Sequence, residues 1–404
     1  MKKILMVAFS CQPEKGSEPG IGWNWALHAA KTQEVWVLTR SKMKKYIEPA
    51  VPEELKPRLH FCYAPSSKML REMTIYLEYL LWQHTAYRCA KKICEEIKFD
   101  FIWHITWGNM FLPTYMYKLG IPFIWGPNGA AEQIPRCFID SLPLTKRMVH
   151  KVKFFMGKYI MKFPWIKKPI VKAKIIIART TATKDLLPKT IQKKTMVHLE
   201  SSVTKDNFVF PDYTDDILHE LGKMNYIYSG RIIDTKNTLV LVDAIEKILE
   251  VEPESKLHII GTGDFETILR KKIEEKKLGK HIYLYGAVTR PILLKALSKC
   301  DAFLFPSLKE GASWSLLEAM YYQKPIVAFD VNGMHDTLDN KCAFLAEVNE
   351  NSIIETNNNF VNCVIKLSKM NAMEMQCMGE NGKDRLEKQF YPEIAEEFIA
   401  KLFV

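Results

Sequence analysis

The feature that most constrains this chain is a rhythm. Short apolar runs of three to six residues alternate with longer stretches of helical periodicity along most of its length. Seven such runs occupy the first half: Ile4–Phe9, Val35–Thr39, Leu59–Tyr63, Phe101–Ile105, Pro122–Trp125, Ile175–Ala178 and Met196–Leu199. Six more follow: Tyr226–Ser229, Leu257–Ile260, Ile282–Tyr285, Ala302–Phe305, Pro325–Phe329 and Ala343–Leu345. Strands that alternate with helices predict parallel sheets covered on both faces, and such strands read as continuous apolar runs. Between the two sets, Thr204 to Gly222 is polar and acidic with little periodicity, which marks a linker. Two α/β domains are expected, 1–205 and 223–389, joined by 206–222. A length of 404 residues agrees with two hydrophobic cores rather than one.

Composition excludes several classes. Hydrophobic residues make up 48% and charged residues 25%, as in ordinary soluble globular proteins. The best candidate for a membrane span, Thr74 to Tyr87, is interrupted by Glu78, Gln83 and His84. The first apolar run is too short for a signal-peptide core and fits a first parallel strand. Nine cysteines are scattered without a CxxC pair or metal-ligand spacing, so they read as reduced thiols of a cytoplasmic protein. The net charge of +11 is unevenly placed. From Ser141 to Lys184 no acidic residue occurs. Lys146, Arg147, Lys151, Lys153, Lys158, Lys162, Lys167, Lys168, Lys172 and Lys174 are interleaved there with Phe154, Phe155, Tyr159, Phe163 and Trp165. The span 146–174 suits peripheral contact with an anionic membrane, on the inner face of the cytoplasmic membrane. A solvated basic face with no partner is the standing alternative. No nucleic-acid module is recognisable, so nucleic acid is not expected as a partner.

The stretch richest in chemistry is 304–320. Ala302–Phe305 reads as a buried strand, Pro306 and Ser307 end it, Glu310-Gly311 turns, and a helix begins near Ser313, Trp314 and Ser315. Glu310 and Glu318 are separated by seven residues across this strand–turn–helix. The N–H groups of a helix start lie between them and suit an anion, while the two carboxylates suit hydroxyl-bearing groups. Glu-x7-Glu followed by Ala319-Met320 resembles the motif of the retaining glycosyltransferases of family 4 (glycosyl transferases group 1), which have the GT-B fold.

Other loops support the resemblance, in the family's order along the chain. After the first run, Gly16-Ser17-Glu18-Pro19-Gly20-Ile21-Gly22-Trp23 resembles the N-terminal loop of one family-4 subgroup. Here a glycine-rich loop is expected to admit a ligand, with a helix starting near Gly22. The glycines do not fall as a dinucleotide fingerprint. His104 through Asn109, and Trp125-Gly126-Pro127-Asn128-Gly129-Ala130, each follow a run. In the second of these loops many family members have a His against the donor sugar, and Trp125-Gly126 stands there instead. Gly230-Arg231 through Lys236 resembles the family's Gly-Arg-x4-Lys loop. Arg offers a bidentate fork to phosphate oxygens and Lys a compact charge. Gly261-Thr262-Gly263 and Tyr285-Gly286-Ala287-Val288 match positions that line the family's nucleotide pocket.

The resemblance implies two Rossmann-like parallel-sheet domains facing a central cleft, with the last segment, 390–404, packed back on the first domain. It implies a nucleoside-diphosphate sugar as co-substrate, no cofactor, no metal site, and a glycan or lipid-linked saccharide as acceptor. Glu310, Arg231 and Lys236 would act in catalysis. Glu318, Gly230, Gly20, Gly22, Gly261, Gly263, Val288, Ser313, Trp314 and Ser315 would hold the donor. Glu18, His104, Asn109, Gly126 and Asn128 would lie on the acceptor or sugar side. A His near a strand end is at least as often a hydrogen-bonded structural residue. The rival functions are a non-catalytic nucleotide-sugar or glycan-binding protein, and another GT-B enzyme such as a sugar-nucleotide epimerase or a phosphorylase.

Overall fold

Each of the thirteen apolar runs overlaps a strand in a computed structural model of the chain, which describes residues 1–15, 17–66, 74–218, 220–310 and 313–403. The first sheet contains β1 (Lys3–Ala8), β2 (Glu34–Arg40), β3 (Leu59–Ala64), β4 (Phe101–Thr106), β5 (Phe123–Asn128), β6 (Ile175–Ala178) and β7 (Thr195–Val197), in the order β3-β2-β1-β4-β5-β6-β7. The second contains β8 (Asn225–Ser229), β9 (Lys256–Ile260), β10 (Ile282–Leu284), β11 (Ala302–Phe305), β12 (Ile326–Phe329) and β13 (Ala343–Ala346), in the order β10-β9-β8-β11-β12-β13. The strand pairs in both sheets run parallel.

The apolar runs are continuous because both sheet faces are buried, and β1 shows this residue by residue. Ile4, Met6 and Ala8 enter one core with Trp25, Ala26, Ala29 and Ala30 of α1 (Ser17–Ala30). Leu5 and Val7, with Phe9 just beyond, enter another with Tyr79, Trp82, Ala86 and Ala90 of α2 (Ile75–Glu96). The second sheet carries α5 (Leu239–Ile248) packed on α8 (Ile353–Ser368), with α6 (Arg290–Lys299) against α7 (Trp314–Tyr321). The remaining helices include α3 (Leu144–Lys158), α4 (Pro164–Lys172) and α9 (Pro392–Leu402).

The chain divides into two compact units, 1–131 with 154–202 and 390–404, and 132–153 with 203–389. The stretch 132–153 therefore groups with the second unit, which a single break near 205 does not foresee. Its ties are specific: Gln133 N–H donates to Asn332 Oδ1 at 2.9 Å, Arg136 N–H donates to Glu350 Oε2 at 2.6 Å, and Lys146 pairs with Asp234 at 2.7 Å. Residues of the expected linker also belong to the second unit. Phe208 is buried and stacks on Tyr321 at 4.4 Å, and Asp216 pairs with Lys299. In the first unit, α9 packs on α1. Ile399, Leu402 and Phe403 join the β1 core, and Glu396 accepts from Lys31 at 2.6 Å.

One sequence expectation is corrected. The helix after β1 begins at Ser17 rather than near Gly22, with Pro19 in its first turn, so Gly20 and Gly22 are helical residues. Gly16 lies outside the described residues. The glycines serve close packing: a Cβ on Gly22 would lie 2.0 Å from the Ser10 carbonyl oxygen, and one on Gly20 would lie 2.0 Å from that of Lys15.

In each sheet the strand order reverses beside the first strand, between β1 and β4 and between β8 and β11. Loops leaving the carboxyl ends at such a switch point diverge, and the gap they leave is the expected binding position in an open α/β sheet. A consequence of the packing is testable. Gly22→Ala forces backbone apart and should cost about 1–3 kcal/mol in urea unfolding followed by tryptophan fluorescence. Gly279→Ala, where a Cβ meets nothing within 4 Å, should leave the midpoint unchanged.

Candidate functional site

The loops leaving β8 and β11 meet at the second sheet's switch point. Gly230 follows β8 with φ 155°, and the Tyr228 hydroxyl donates to the Arg231 carbonyl at 2.8 Å, which fixes the turn. Gly261, after β9, has φ 142°, and a Cβ there would lie 1.9 Å from the Gly230 carbonyl oxygen. Gly263 stands equally close to Ile232, with a Cβ falling 2.2 Å from its carbonyl oxygen. These three glycines bring the loops after β8 and β9 into backbone contact. The Leu308 N–H donates to the Thr235 carbonyl at 2.9 Å and ties the loop after β11 to the same turn.

That tie brings the candidate catalytic residues together. The half-buried Lys236 ammonium is ion-paired with Glu310 Oε1, and the Ser307 hydroxyl donates to the same oxygen at 3.2 Å. Lys236 also stands 5.3 Å from the centre of the Phe305 ring. Burial, and behind it the neighbouring Arg231 guanidinium, push Lys236 down to about 8 even with Glu310 beside it. Arg231 itself is exposed. The loop thus carries two cations close enough to repel each other, an arrangement that an anion bound between them relieves.

One helix turn away, Glu318 on α7 is 5% exposed. Its carboxylate is ion-paired with Arg290 Nη2 at 3.0 Å, and Arg290 lies over the Trp314 ring at 4.8 Å. Burial raises the Glu318 carboxyl and Arg290 pulls it back, leaving it at about 7. Ser313 caps the helix start in extended conformation, and its hydroxyl is 3.0 Å from that of Ser315. Gly311 and Ala312 lie outside the described residues. Val288 stands two residues before Arg290, and the preceding Gly286 carbonyl accepts from the Gly261 N–H at 2.8 Å.

In the first unit, Glu18 Oε1 pairs with Arg179 at 3.2 Å, and Arg179 pairs in turn with Glu200 at 2.7 Å. Burial raises the Glu18 carboxyl, against the pull of Arg179 and a hydrogen bond from the Gly108 backbone. Asn128 is buried, and its carbonyl accepts from the Arg179 N–H at 2.8 Å. Asn109 Oδ1 accepts from the Phe111 N–H at 2.9 Å. Gly126 is a packing glycine: its carbonyl accepts from Trp103 Nε1 at 2.8 Å, and a Cβ would lie 2.1 Å from the Ile177 carbonyl oxygen. His104 leaves the acceptor-side group. It is fully buried, and burial pushes it down to about 4. Its Nε2 faces the Thr106 carbonyl at 3.0 Å and its Nδ1 the Thr114 hydroxyl at 2.6 Å. A carbonyl only accepts, so Nε2 carries the proton and both nitrogens are used.

The residues that sequence reasoning missed are Arg290 and Arg179. Each is a lone cation after a strand, and only its buried carboxylate partner distinguishes it from surface charge.

Residues 211–384 match the family of glycosyl transferases group 1. The matched residues lie within the second unit and include the β8 and β11 loops. Over 120 residues the chain is 33% identical to a poly(ribitol-phosphate) alpha-N-acetylglucosaminyltransferase of Staphylococcus aureus, covering 29% of this chain and 24% of that protein. Over 173 residues it is 29% identical to the capsular polysaccharide biosynthesis glycosyltransferase CapH of Staphylococcus aureus, covering 41% of this chain and 48% of that protein. The chain thus spans less than half the length of these curated relatives. Among solved structures, Anabaena HepE in complex with UDP and glucose superposes with TM-score 0.58 at 13% identity, covering 100% of this chain and 99% of that one. That likeness shows the fold, a two-domain α/β architecture of GT-B type.

The electrostatics around Lys236 make one prediction. Lys236 is charged below about pH 8 and neutral above it, so affinity for inorganic pyrophosphate should fall as pH rises through that value. Lys236→Arg, whose guanidinium stays charged, should abolish the decline. Comparing the two proteins at each pH cancels the ligand's own titration in calorimetry. Parallel curves would remove Lys236 as the titrating group.

Proposed function

We propose that the chain is a retaining glycosyltransferase that moves a sugar from a nucleoside-diphosphate sugar to a glycan or lipid-linked acceptor in polysaccharide biosynthesis. The observation that carries this reading is the pairing of Lys236 with Glu310 beside Arg231 at the second sheet's switch point, within the residues that match group 1, with Glu318 on the helix that follows. Arg231 and Lys236 take the charge that grows on the diphosphate as the bond to the sugar breaks. Preplaced donors that stabilise developing charge usually contribute most of the rate enhancement in such catalysis. Lys236 has three N–H donors, so its bond to Glu310 leaves two for phosphate oxygens. The N–H groups opening α7 add partial positive charge. Glu318 accepts from the ribose hydroxyls and Glu310 from those of the transferred sugar. The retaining outcome follows from attack on the face the leaving group departs, without a covalent enzyme intermediate. The complex of Anabaena HepE with UDP and glucose supports the donor class, and the two Staphylococcus relatives support a cell-surface glycan as acceptor. The glycines after β8 and β9, with Val288, line the nucleotide side. Glu18, Asn109, Asn128 and Gly126 belong to the acceptor side.

Turnover against a panel of uridine and guanosine diphosphate sugars is the decisive assay. Arg231→Ala or Lys236→Ala should lower it by roughly two to three orders of magnitude, as for loss of one oxyanion donor. Near-native turnover in either variant would take that residue out of the mechanism.

Membrane contact belongs to the same proposal. Among the described residues no helix is long and apolar enough to cross a membrane. On α3, however, the outward stripe is apolar: Leu144, Met148, Val152 and Phe155 are 74%, 59%, 51% and 56% exposed. Their spacing puts them on one helix face, with Lys151 and Lys158 at its edge, while Lys146 turns to Asp234. An apolar stripe rimmed by lysines is the pattern of a helix that lies in a membrane interface. The protein should sediment with anionic vesicles at low salt and be released by high salt. Replacing Lys151 and Lys158 with Glu should abolish sedimentation. Wild-type protein that stays in the supernatant at low salt would refute the contact and leave the glycosyltransferase reading intact.

A further inference from the structure

Glu318 presents a physical difficulty. A carboxylate 5% exposed should lose its charge near neutral pH, and a protonated carboxyl is a poorer acceptor for two hydroxyls. Its partner comes from outside its own helix. Arg290, the first residue of α6, reaches across to Glu318 Oε1 at 3.0 Å while its guanidinium lies over the Trp314 ring at 4.8 Å. Trp314 opens the helix that carries Glu318. The arginine is thereby held from two sides by one turn of α7: its charge by the carboxylate, its plane by the indole. Yet its own side chain is 42% exposed, and so keeps donors that neither partner uses.

We infer that Arg290 is a positioning residue of the donor site, which holds the Glu318 carboxylate ionised and turned so that Oε2 faces the ribose hydroxyls of the nucleotide. The inference rests on the donor reading above and adds to it the group on which Glu318 depends. Arg290 is the charged group facing Glu318 from the helix packed against its own. Along its own helix Tyr322 interacts with it; burial first, then Tyr321 and Glu318, push that phenol up to about 12. The phenol therefore stays neutral through the range in which Glu318 titrates. Burial raises Glu318 and Arg290 lowers it, to about 7. Glu318 is ionised above that value, so ribose binding strengthens as pH rises through it. Removing Arg290 leaves only the upward push of burial, and the transition moves to higher pH.

The test is calorimetric binding of UDP and of GDP between pH 5.5 and 9 to wild type, Arg290→Ala, Arg290→Lys and Glu318→Gln. The ratio of variant to wild-type affinity at each pH cancels the titration of the diphosphate and of Lys236. For Arg290→Ala the ratio should be lowest near pH 7 and recover at alkaline pH, with the transition displaced by about one to three pH units, the usual effect of one opposite charge at this range. Arg290→Lys should restore most of the wild-type profile, and Glu318→Gln should flatten it. A ratio for Arg290→Ala that is depressed equally at all pH values would overturn the inference, since arginine would then be touching the nucleotide directly or serving the fold. A ratio of one throughout would overturn it as well. If wild type binds neither diphosphate at any pH, the proposed function falls and the inference falls with it.

Discussion

Two parallel sheets, each covered by helices on both faces, leave this chain no open sheet surface on which to build a site. Polar chemistry is confined to the strand ends, and at the carboxyl ends the loops are separated by the reversal of strand order beside β1 and beside β8. The residues proposed for the donor site follow from that constraint. Arg231 and Lys236 leave β8, Glu310 leaves β11, and Gly261 and Gly263 leave β9. None lies within a strand. The glycines matter because three loops must close on one another: a side chain at Gly261 or Gly263 would sit inside a neighbouring carbonyl.

Charge then has to be managed in a poorly hydrated place. Lys236 and Glu318 respond to burial in opposite directions, one pushed down to about 8 and the other up to about 7. Both end close to neutrality, so the charge on each responds to its surroundings. The charge on Glu318 is favoured by Arg290. Lys236 has Glu310 on one side and the repulsion of Arg231 on the other. A bound diphosphate would resolve the second conflict by screening the two cations from each other. The site is therefore electrostatically better satisfied with an anion in place, which is what a binding site requires.

Much of this was legible in the sequence, for identifiable reasons. Strands buried on both faces have no polar alternation, so β1 reads as Ile4-Leu5-Met6-Val7-Ala8 and needs no context to recognise. Glu310 and Glu318 stand out because a strand end and a helix start bracket them. What was not legible depended on contacts remote in sequence. The glycines at 20 and 22 read as a loop, because nothing local reveals that the Lys15 and Ser10 carbonyls press against that helix. The membership of 132–153 in the second unit rests on Asn332, Glu350 and Asp234. His104, near the end of β4, reads in sequence as a candidate site residue, and only the fold brings Thr114 and Thr106 to both its nitrogens.

The distribution of buried charge gives a last reason to place function at these strand ends. Besides the pairs of the second unit, the networks of the first include Glu18–Arg179–Glu200, and Arg40–Glu78 with Lys42 and the Phe9 carbonyl. These two gather at the carboxyl ends of the first sheet's strands. Buried ion pairs are poor stabilisers, because desolvation offsets most of their attraction, and apolar residues of the same volume often serve a fold as well. Beyond Lys3, the two strands β1 and β11 carry only Ile, Leu, Met, Val, Ala and Phe. The amino ends of the strands also carry charge, as where Lys3 pairs with Glu34 at 3.6 Å, but Arg40 and Glu78 at the carboxyl ends are buried far more deeply. Fold stability alone does not account for charge buried so deeply there, and the proposed charged, hydroxyl-rich ligand would give it a use.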